Sequence, residues 1–333
     1  MGVALRDILS DYKNPAGWDK LSGKGAFDGN NALYQFLTTI RQPDGTPLMD
    51  REGRVTSHLS GMFFRVSNFL EKGMKPVFIF DGRPPDFKSD TIKERREAKE
   101  KAEIAYKRAV SVGDTQEAYK QARSATKVDA EIIESSKRLL SLMGIPVVDA
   151  PSEGEAQAAF MVINGDVSFT VSQDYDSLLF GAPKLVRNLT VSRKRKVRGR
   201  TITVNPEFIL LPEVLFGLGI TVENLIEMGI LIGTDFNEGI RGVGAKTALK
   251  IVKNDNFDSF IKEKAPEFDP YPVKEFFLNP PCHRDYNLKW DKTDSDKLFE
   301  MLCEEYDFSH ARVESVLDKL NEGAGQKTLD QWF

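Results

Sequence analysis

Three short apolar runs, each closing on an aspartate, constrain this chain more than any other feature. Lys24 to Phe27 precedes Asp28, Val77 to Phe80 precedes Asp81, and Leu231 to Thr234 precedes Asp235. Glu153-Gly-Glu155 and Asp174-Tyr-Asp176 add two acidic pairs at i, i+2 spacing. Apolar runs that alternate with helical patterns predict strands of a mostly parallel α/β sheet. A carboxylate at the exit of such a strand points into the crevice where open α/β sheets bind ligands. Carboxylates gathered there repel one another by kilocalories unless cations lie between them. Hard oxygen donors with few His or Cys suit Mg²⁺ or Mn²⁺, and the arrangement predicts two-metal phosphoryl chemistry.

Each block also has an ordinary local reading. Ser152-Glu-Gly-Glu155 matches a capping box. Asp174 and Asp176 suit a helix N-terminus, and Asp81-Gly82-Arg83-Pro84-Pro85 suits a turn. Taken singly the local readings are stronger; taken together the seven carboxylates favour a metal site.

Composition excludes little beyond the extremes. With 41% hydrophobic and 29% charged residues, the 333-residue chain is ordinary for a globular protein. It has no long uncharged apolar run, so no membrane span or secretory leader is expected. Cys282 and Cys303 fit neither zinc spacing nor a disulfide framework, which suits a reducing compartment. His58, His283 and His310 are scattered and read as structural; no Ser/His/Asp or Cys/His nucleophile pattern occurs. The net charge of −4 argues against a nucleic-acid binder, but without the seven carboxylates it becomes +3. Local patches then decide binding better than the total.

Along the chain, a helix is expected from about Asn31, turn chemistry over 41–54, and a helix carrying Leu59, Met62, Phe63, Val66, Phe69 and Leu70. Residues 88–127 hold eleven Lys/Arg against seven Asp/Glu and few large apolar residues. That predicts helices lying away from the core, split near Val112-Gly113-Asp114. A helix ending at Met143 with Gly144 as cap follows, then strands over Ile145–Val148 and Val167–Val171. Residues 184–204 read as a β-hairpin with a basic tip: Lys184, Arg187, Arg193, Lys194, Arg195, Lys196, Arg198 and Arg200, with no acid between. Phosphate neutralisation, a solvated tip and a nuclear-localisation patch all remain open for it. From 207 to 320 the pattern is largely helical, and Asn321 to Gly325 reads as a short flexible linker.

Leu231 through Gly242-Val-Gly244-Ala-Lys246 reads as helix, Gly-x-Gly turn, helix, resembling a helix-hairpin-helix. Such a hairpin holds a phosphate on backbone amides without reading bases, and Lys246 adds charge. A routine glycine cap is the plainer alternative.

The blocks Phe27 to Leu37, Val77 to Pro85, Ala150 to Ala156, Ser172 to Gly181 and Gly233 to Lys246 together resemble the XPG-like structure-specific 5′-nuclease family, of the archaeal flap-cutting type. The resemblance covers nearly the whole chain. It implies a PIN-like core, a mostly parallel central sheet flanked by helices, with a helical arch and a C-terminal helix-hairpin-helix region. The expected division is 1–87 and 136–220 as nuclease blocks, 88–135 as the arch, 221–320 as the helical region and 321–333 as a tail. The resemblance assigns Asp28, Asp81, Glu153 and Glu155 to a first metal site, and Asp174, Asp176 and Asp235 to a second. It gives Lys88 and Arg95 contact with the scissile phosphate, Tyr34 stacking near the scissile nucleotide, and Gly2 a place near the site. It implies K⁺ at the helix-hairpin-helix, a DNA wedge around 41–58, and branched DNA with 5′ flaps as substrate for a monomer. Gln326, Leu329, Trp332 and Phe333 are similar to the family's motif for a PCNA-type sliding clamp. Three departures stand out, the first being the opening Gly2-Val-Ala-Leu-Arg6, which differs slightly from the family's usual start and weakens the Gly2 role. Gly29 replaces a small side chain, predicting a looser turn, and the chain ends without a basic tail, which suits an archaeal, cytoplasmic protein. A junction resolvase, a repair exonuclease and a silent clamp-tethered DNA-binding module are the alternatives.

Overall fold

The runs ending at Asp28 and Asp81 are adjacent parallel strands buried on both faces. Side chains of a strand alternate in direction, so each run serves two cores. Phe27, Phe78 and Phe80 enter one core, while Ala26, Val77 and Ile79 enter the other. That double burial is why Gly25 to Phe27 and Val77 to Phe80 carry no polar side chain rather than alternating.

The computed structural model describes residues 2–191, 194–197 and 200–329; side chains at 86, 89–95, 194–197, 200–202 and 323–329 lie outside the description. The strands are Asn14–Pro15 (β1), Gly23–Asp28 (β2), Met74–Phe80 (β3), Val147–Asp149 (β4), Phe169–Val171 (β5), Lys184–Arg187 (β6), Lys194–Val197 (β7), Arg200–Thr203 (β8) and Glu207–Leu210 (β9). The first eight helices are Arg6–Leu9 (α1), Gly29–Thr39 (α2), Ser57–Glu71 (α3), Ser89–Ser111 (α4), Thr115–Ser124 (α5), Ala130–Leu142 (α6), Gly154–Ile163 (α7) and Asp176–Leu179 (α8). The rest are Leu211–Leu218 (α9), Val222–Ile232 (α10), Ala245–Lys253 (α11), Phe257–Lys264 (α12), Tyr271–Leu278 (α13), Ser295–Phe299 (α14) and His310–Leu329 (α15).

Seven strands form one sheet in the order β1-β9-β6-β5-β2-β3-β4. β6, β5, β2, β3 and β4 are parallel neighbours, and β9 and β1 add an antiparallel edge. The chain moves from β2 outward to β3 and β4, then returns across the sheet to β5 on the other side of β2. The switch point therefore lies between β2 and β5, where a crevice opens at the strand C-termini. On one face, α2, α3 and α6 pack with α14 and α15 around Phe27, Phe36, Phe63 and Phe78. The opposite face is covered by α7 and by an irregular strap carrying Tyr286, Leu288 and Trp290, whose indole donates to Pro76 O at 2.7 Å.

The charged segment forms the expected pair of helices, broken at Gly113 and restarted by Asp114, whose side chain accepts from Glu117 N. Among the described residues of the two helices, Ala102, Ala109, Ala118 and Ala122 are buried. Small side chains let two thin helices close on each other without a large core. The returning end is tied down by Arg41, which donates to Gly45 O and Thr126 Oγ1.

Several expectations are corrected. Residues 184–204 are not one hairpin: β6 is a core strand between β5 and β9, and the hairpin is β7–β8, Lys194–Thr203. Leu185 and Val186 are fully buried, so the sheet claims this stretch before the basic run begins. The expected linker from Asn321 to Gly325 continues α15, which runs through Leu329. The helix is anchored upstream by Val313, Leu317 and Leu320, and propagation adds a hydrogen bond per residue once a helix is nucleated. Asp235 follows a helix, α10, rather than a strand. Gly29 does not loosen its turn: a Cβ there would lie 2.8 Å from Ile79 O, so its absence lets α2 begin close against β3. No single helix among the described residues is long and apolar enough to cross a membrane.

Phe78 is fully buried and stacks on Phe27 with centroids 5.0 Å apart. Phe78→Ala should therefore destabilise the chain by about 3–5 kcal/mol, read as a lower denaturation midpoint, with Phe78→Leu costing clearly less.

Candidate active site

All seven acidic residues meet in the crevice at the C-terminal ends of β2, β3 and β5. Asp28 is the last residue of β2 and the N-cap of α2, where it accepts from Asn31 N at 2.9 Å. Asp81 follows β3 and accepts from Gly154 N at 2.7 Å, which ties it to the start of α7. Glu153 is the N-cap of α7, and Glu155 lies in its first turn. Asp174 and Asp176 follow β5, and Asp176 opens α8. Asp235 sits in a tight turn after α10, closed by Thr234 N on Asn237 O and Ile240 N on Leu231 O.

The capping-box reading of Ser152 does not hold. Glu153 is the cap residue, Ser152 Oγ is buried without a hydrogen-bond partner, and the Glu155 carboxylate accepts from Ser172 Oγ at 2.8 Å. Asn31 and Ser172 are supports that reasoning from acidic blocks missed. Asn31 Nδ2 donates to Asp174 Oδ2 at 2.9 Å, and Ser172 Oγ also reaches Asp28 Oδ2 at 3.4 Å. The signal was present in Asn30-Asn31 after Asp28 and in Ser172 before the Asp174 pair.

Electrostatics join the seven into one set. Burial, then Asp81, push the Asp28 carboxyl well above its usual range. Burial, then Asp176 and Asp28, do the same to Glu155. Asp176 is raised to about 7 by burial and then by Asp235. Burial raises Asp81 although its side chain still meets solvent at the crevice rim; Gly154 N and Lys88 pull it back and Asp235 pushes it up. Glu153 is raised by burial and, more weakly, by Asp81 and Asp235, against the pull of Lys88. Glu155 thus faces both expected metal groups rather than one, and Asp235 faces Asp81 and Glu153 as well as Asp176.

Among the described residues no three Asp, Glu, His or Cys side chains stand together as a ready-made metal cage. The donor set still fits hydrated divalent cations. It is all hard oxygen, it runs from buried Asp28 and Asp176 to Asp81 at the rim, and its members raise one another's proton affinity, the property a cation would relieve. Mg²⁺ keeps several waters and needs only one or two carboxylates, so a closed cage is not required.

Lys88 stands at the same crevice and donates to both Glu153 oxygens, at 2.8 and 2.7 Å. Arg95 lies on α4 with its side chain outside the described residues. Tyr34 is 42% exposed on α2, less than two turns from Asp28, so a planar group could stack on it. Gly2 packs on the acidic pair, since a Cβ there would come 2.5 Å from Asp174 Cβ; the neighbouring Val3 N donates to Asp176 Oδ1 at 2.6 Å.

The remaining expected contacts lie outside this cluster. Gly242 is exposed with φ +86°, Gly244 is the N-cap of α11, and Lys246 is exposed in its first turn. Lys194, Arg195 and Lys196 lie on β7 with side chains outside the described residues, and Arg193 lies outside them altogether. Arg187 is not a free phosphate binder: it donates to Gln173 O at 2.7 and 3.1 Å and to Glu207 at 3.0 Å, bracing the Asp174 loop. Gln326 and Leu329 lie in α15 with side chains outside the described residues, and Trp332 and Phe333 lie beyond them. His58 and His283 are structural, on Ser135 Oγ and Asp149 O.

A mostly parallel sheet with an acidic crevice at its switch point, joined to a pair of charged helices, defines a class of phosphodiester-cutting nucleases. The XPG N-terminal domain matches residues 1–102 and the XPG I-region matches residues 144–235. Flap endonuclease 1 of Methanoregula boonei is 62% identical over 333 residues, covering 100% of both chains. Flap endonuclease 1 of Pyrococcus abyssi is 53% identical over 340 residues, covering 100% of this chain and 98% of its own. The structure of flap endonuclease-1 from Methanococcus jannaschii superposes with a TM-score of 0.77 at 41% identity, covering 96% of this chain and 99% of that one. The Rad2 catalytic core in complex with DNA substrate shares the fold, with a TM-score of 0.70 at 24% identity over 96% of this chain and 100% of that one. The chain belongs to the flap endonuclease 1 family, whose members are metal-dependent nucleases.

A pH dependence follows from the raised carboxyls. Between roughly pH 4, the ordinary carboxyl value, and about pH 7, where Asp176 titrates, the folded state holds more protons than the unfolded chain. Metal-free stability should therefore fall as pH rises through that window. Divalent cation should reverse the trend, raising Tm more at pH 7.5 than at pH 5.5, because protons compete for the same oxygens. Thermal melts with and without Mg²⁺ at the two values check it.

Proposed function

We propose that this chain cuts 5′ flaps near the single-strand/duplex junction in DNA replication and repair, using two Mg²⁺ held by the seven carboxylates. The observation that carries the proposal is their convergence at the switch point of the sheet, with Lys88 of the arch base on Glu153. In this assignment Asp28, Asp81, Glu153 and Glu155 hold one ion, and Asp174, Asp176 and Asp235 the other. When bound, the ions supply Lewis-acid polarisation of the phosphodiester and of the attacking water. Mn²⁺ has the same ligand preference and substitutes.

The protein's own groups do the positioning. Lys88 leaves Glu153 for the scissile phosphate as the carboxylate turns to a cation, and Arg95 adds a second positive charge. Tyr34 stacks near the scissile nucleotide. Gly2 closes the wall beside Asp174 and Asp176. The Gly242-Val-Gly244 hairpin and Lys246 hold the downstream duplex by its phosphates, with K⁺ there, and Arg193, Lys194, Arg195 and Lys196 add backbone contacts. The loop at 41–58 forms the wedge at the bend, so recognition rests on junction shape rather than sequence. The C-terminal Gln326, Leu329, Trp332 and Phe333 dock a PCNA-type sliding clamp, for which an adjacent aromatic pair in the sequence is suited.

Asp174→Ala should lower flap cleavage by about 10³-fold or more while flap-DNA affinity changes little. Gel cleavage of a labelled flap, beside nicked and four-way-junction DNA, measures it; full activity in the variant, or preference for the four-way junction, overturns the reading. Deleting Gln326 to Phe333 should abolish stimulation by the clamp and leave basal cutting intact, and stimulation that persists in the deletion rules out the tail assignment.

A further inference from the structure

The geometry points to Phe87 as a positioning residue for Lys88, acting through an aromatic joint that couples the arch base to the loop of Asp235. The inference rests on the reading of Lys88 given above.

Phe87 lies between the Asp81–Pro85 turn and the arch helix α4, immediately before Lys88. Its ring meets Phe236 edge-on with centroids 5.6 Å apart at 77°, and Phe276 at 5.5 Å and 82°. Phe236 and Phe276 meet each other at 5.0 Å and 67°, which completes a three-ring joint. Edge-to-face packing is directional, so three mutual contacts fix orientation as well as separation. Two of the rings are themselves anchored: Phe236 and Phe276 are buried, and Phe277 and Phe180 pack behind them. Phe87 is 37% exposed and is the one ring of the three that comes from the arch side.

Each outer ring is next to a reacting group. Phe236 follows Asp235, and Phe87 precedes Lys88. The Lys88 ammonium lies 5.3 Å from the Phe236 centroid while it bonds Glu153, so the joint sets where that charge can reach. Apart from Lys88 on Phe236, the ring of Phe87 makes the aromatic contacts from the arch side to this wall among the described residues. Without Phe87 the covalent path to Lys88 remains, but the fixed point beside it is lost. Misplacement of a catalytic group by about 1 Å costs on the order of 10²-fold. DNA affinity is spread over many phosphate contacts and should hardly change.

The test is a double-mutant cycle in single-turnover flap cleavage, with flap-DNA affinity and Tm measured for each variant. Phe87→Ala should slow cleavage by roughly 10- to 100-fold with affinity within about 3-fold of the parent. In a Lys88→Ala background the same change should cost less than about 3-fold, because the group being positioned is gone. Phe87→Leu, which refills much of the joint, should recover most of the rate. Equal losses in the two backgrounds, or no loss in Phe87→Ala when Lys88→Ala is impaired, overturns the inference alone. A fully active Lys88→Ala overturns the reading of Lys88 and the inference with it.

Discussion

Mutual repulsion among buried carboxylates is the interaction on which the rest of this structure depends. Seven acidic side chains share one crevice, and five of them are held above their usual proton affinity by burial and by one another. Such a cluster cannot hold itself together. It persists because each member is placed by an element whose stability has another source. Asp28 and Asp81 are carried by strands sealed between two apolar cores, Glu153 and Glu155 by a helix packed on that sheet, and Asp176 by the turn of α8. The sheet pays for a site that, in isolation, would fly apart.

The same constraint explains where the positive charge lies. The crevice receives a counter-charge from Lys88 on Glu153, delivered from the turn that leads into α4. Its contact is labile: one ammonium offsets one carboxylate of the seven, and cations and phosphate compete for the same ground. The aromatic joint of Phe87, Phe236 and Phe276 adds no charge. It supplies the fixed geometry that a labile ion pair cannot.

Much of this was legible in the sequence, and the reasons are specific. The strands before Asp28 and Asp81 could be read because burial on both faces makes them continuously apolar. The pair of charged helices could be read because alanine-rich, charged helices cannot own a large core, and the break at Gly113 was visible. The seven carboxylates could be named from their blocks, but not how they share space: Glu155 reaches Asp176 as well as Asp28, which depends on the crossover from β4 to β5 and not on local order. Arg187 looked like part of a basic tip because composition does not reveal that Leu185 and Val186 beside it belong to the sheet. The Asn321–Gly325 stretch looked like a linker because glycine marks breaks, whereas a helix already anchored by Leu317 and Leu320 propagates through it. Phe87 carried no signal at all, since its partners Phe236 and Phe276 are distant in sequence.

The central claim is that the crevice is a two-cation site whose members exchange protons for metal. Counting bound Mn²⁺ by electron paramagnetic resonance at pH 7, with proton release followed in parallel, tests it most directly. Two ions per chain, with protons released on binding and the count reduced in Asp28→Ala and Asp174→Ala, is the predicted result. One ion or none, or binding unchanged by both substitutions, would contradict it.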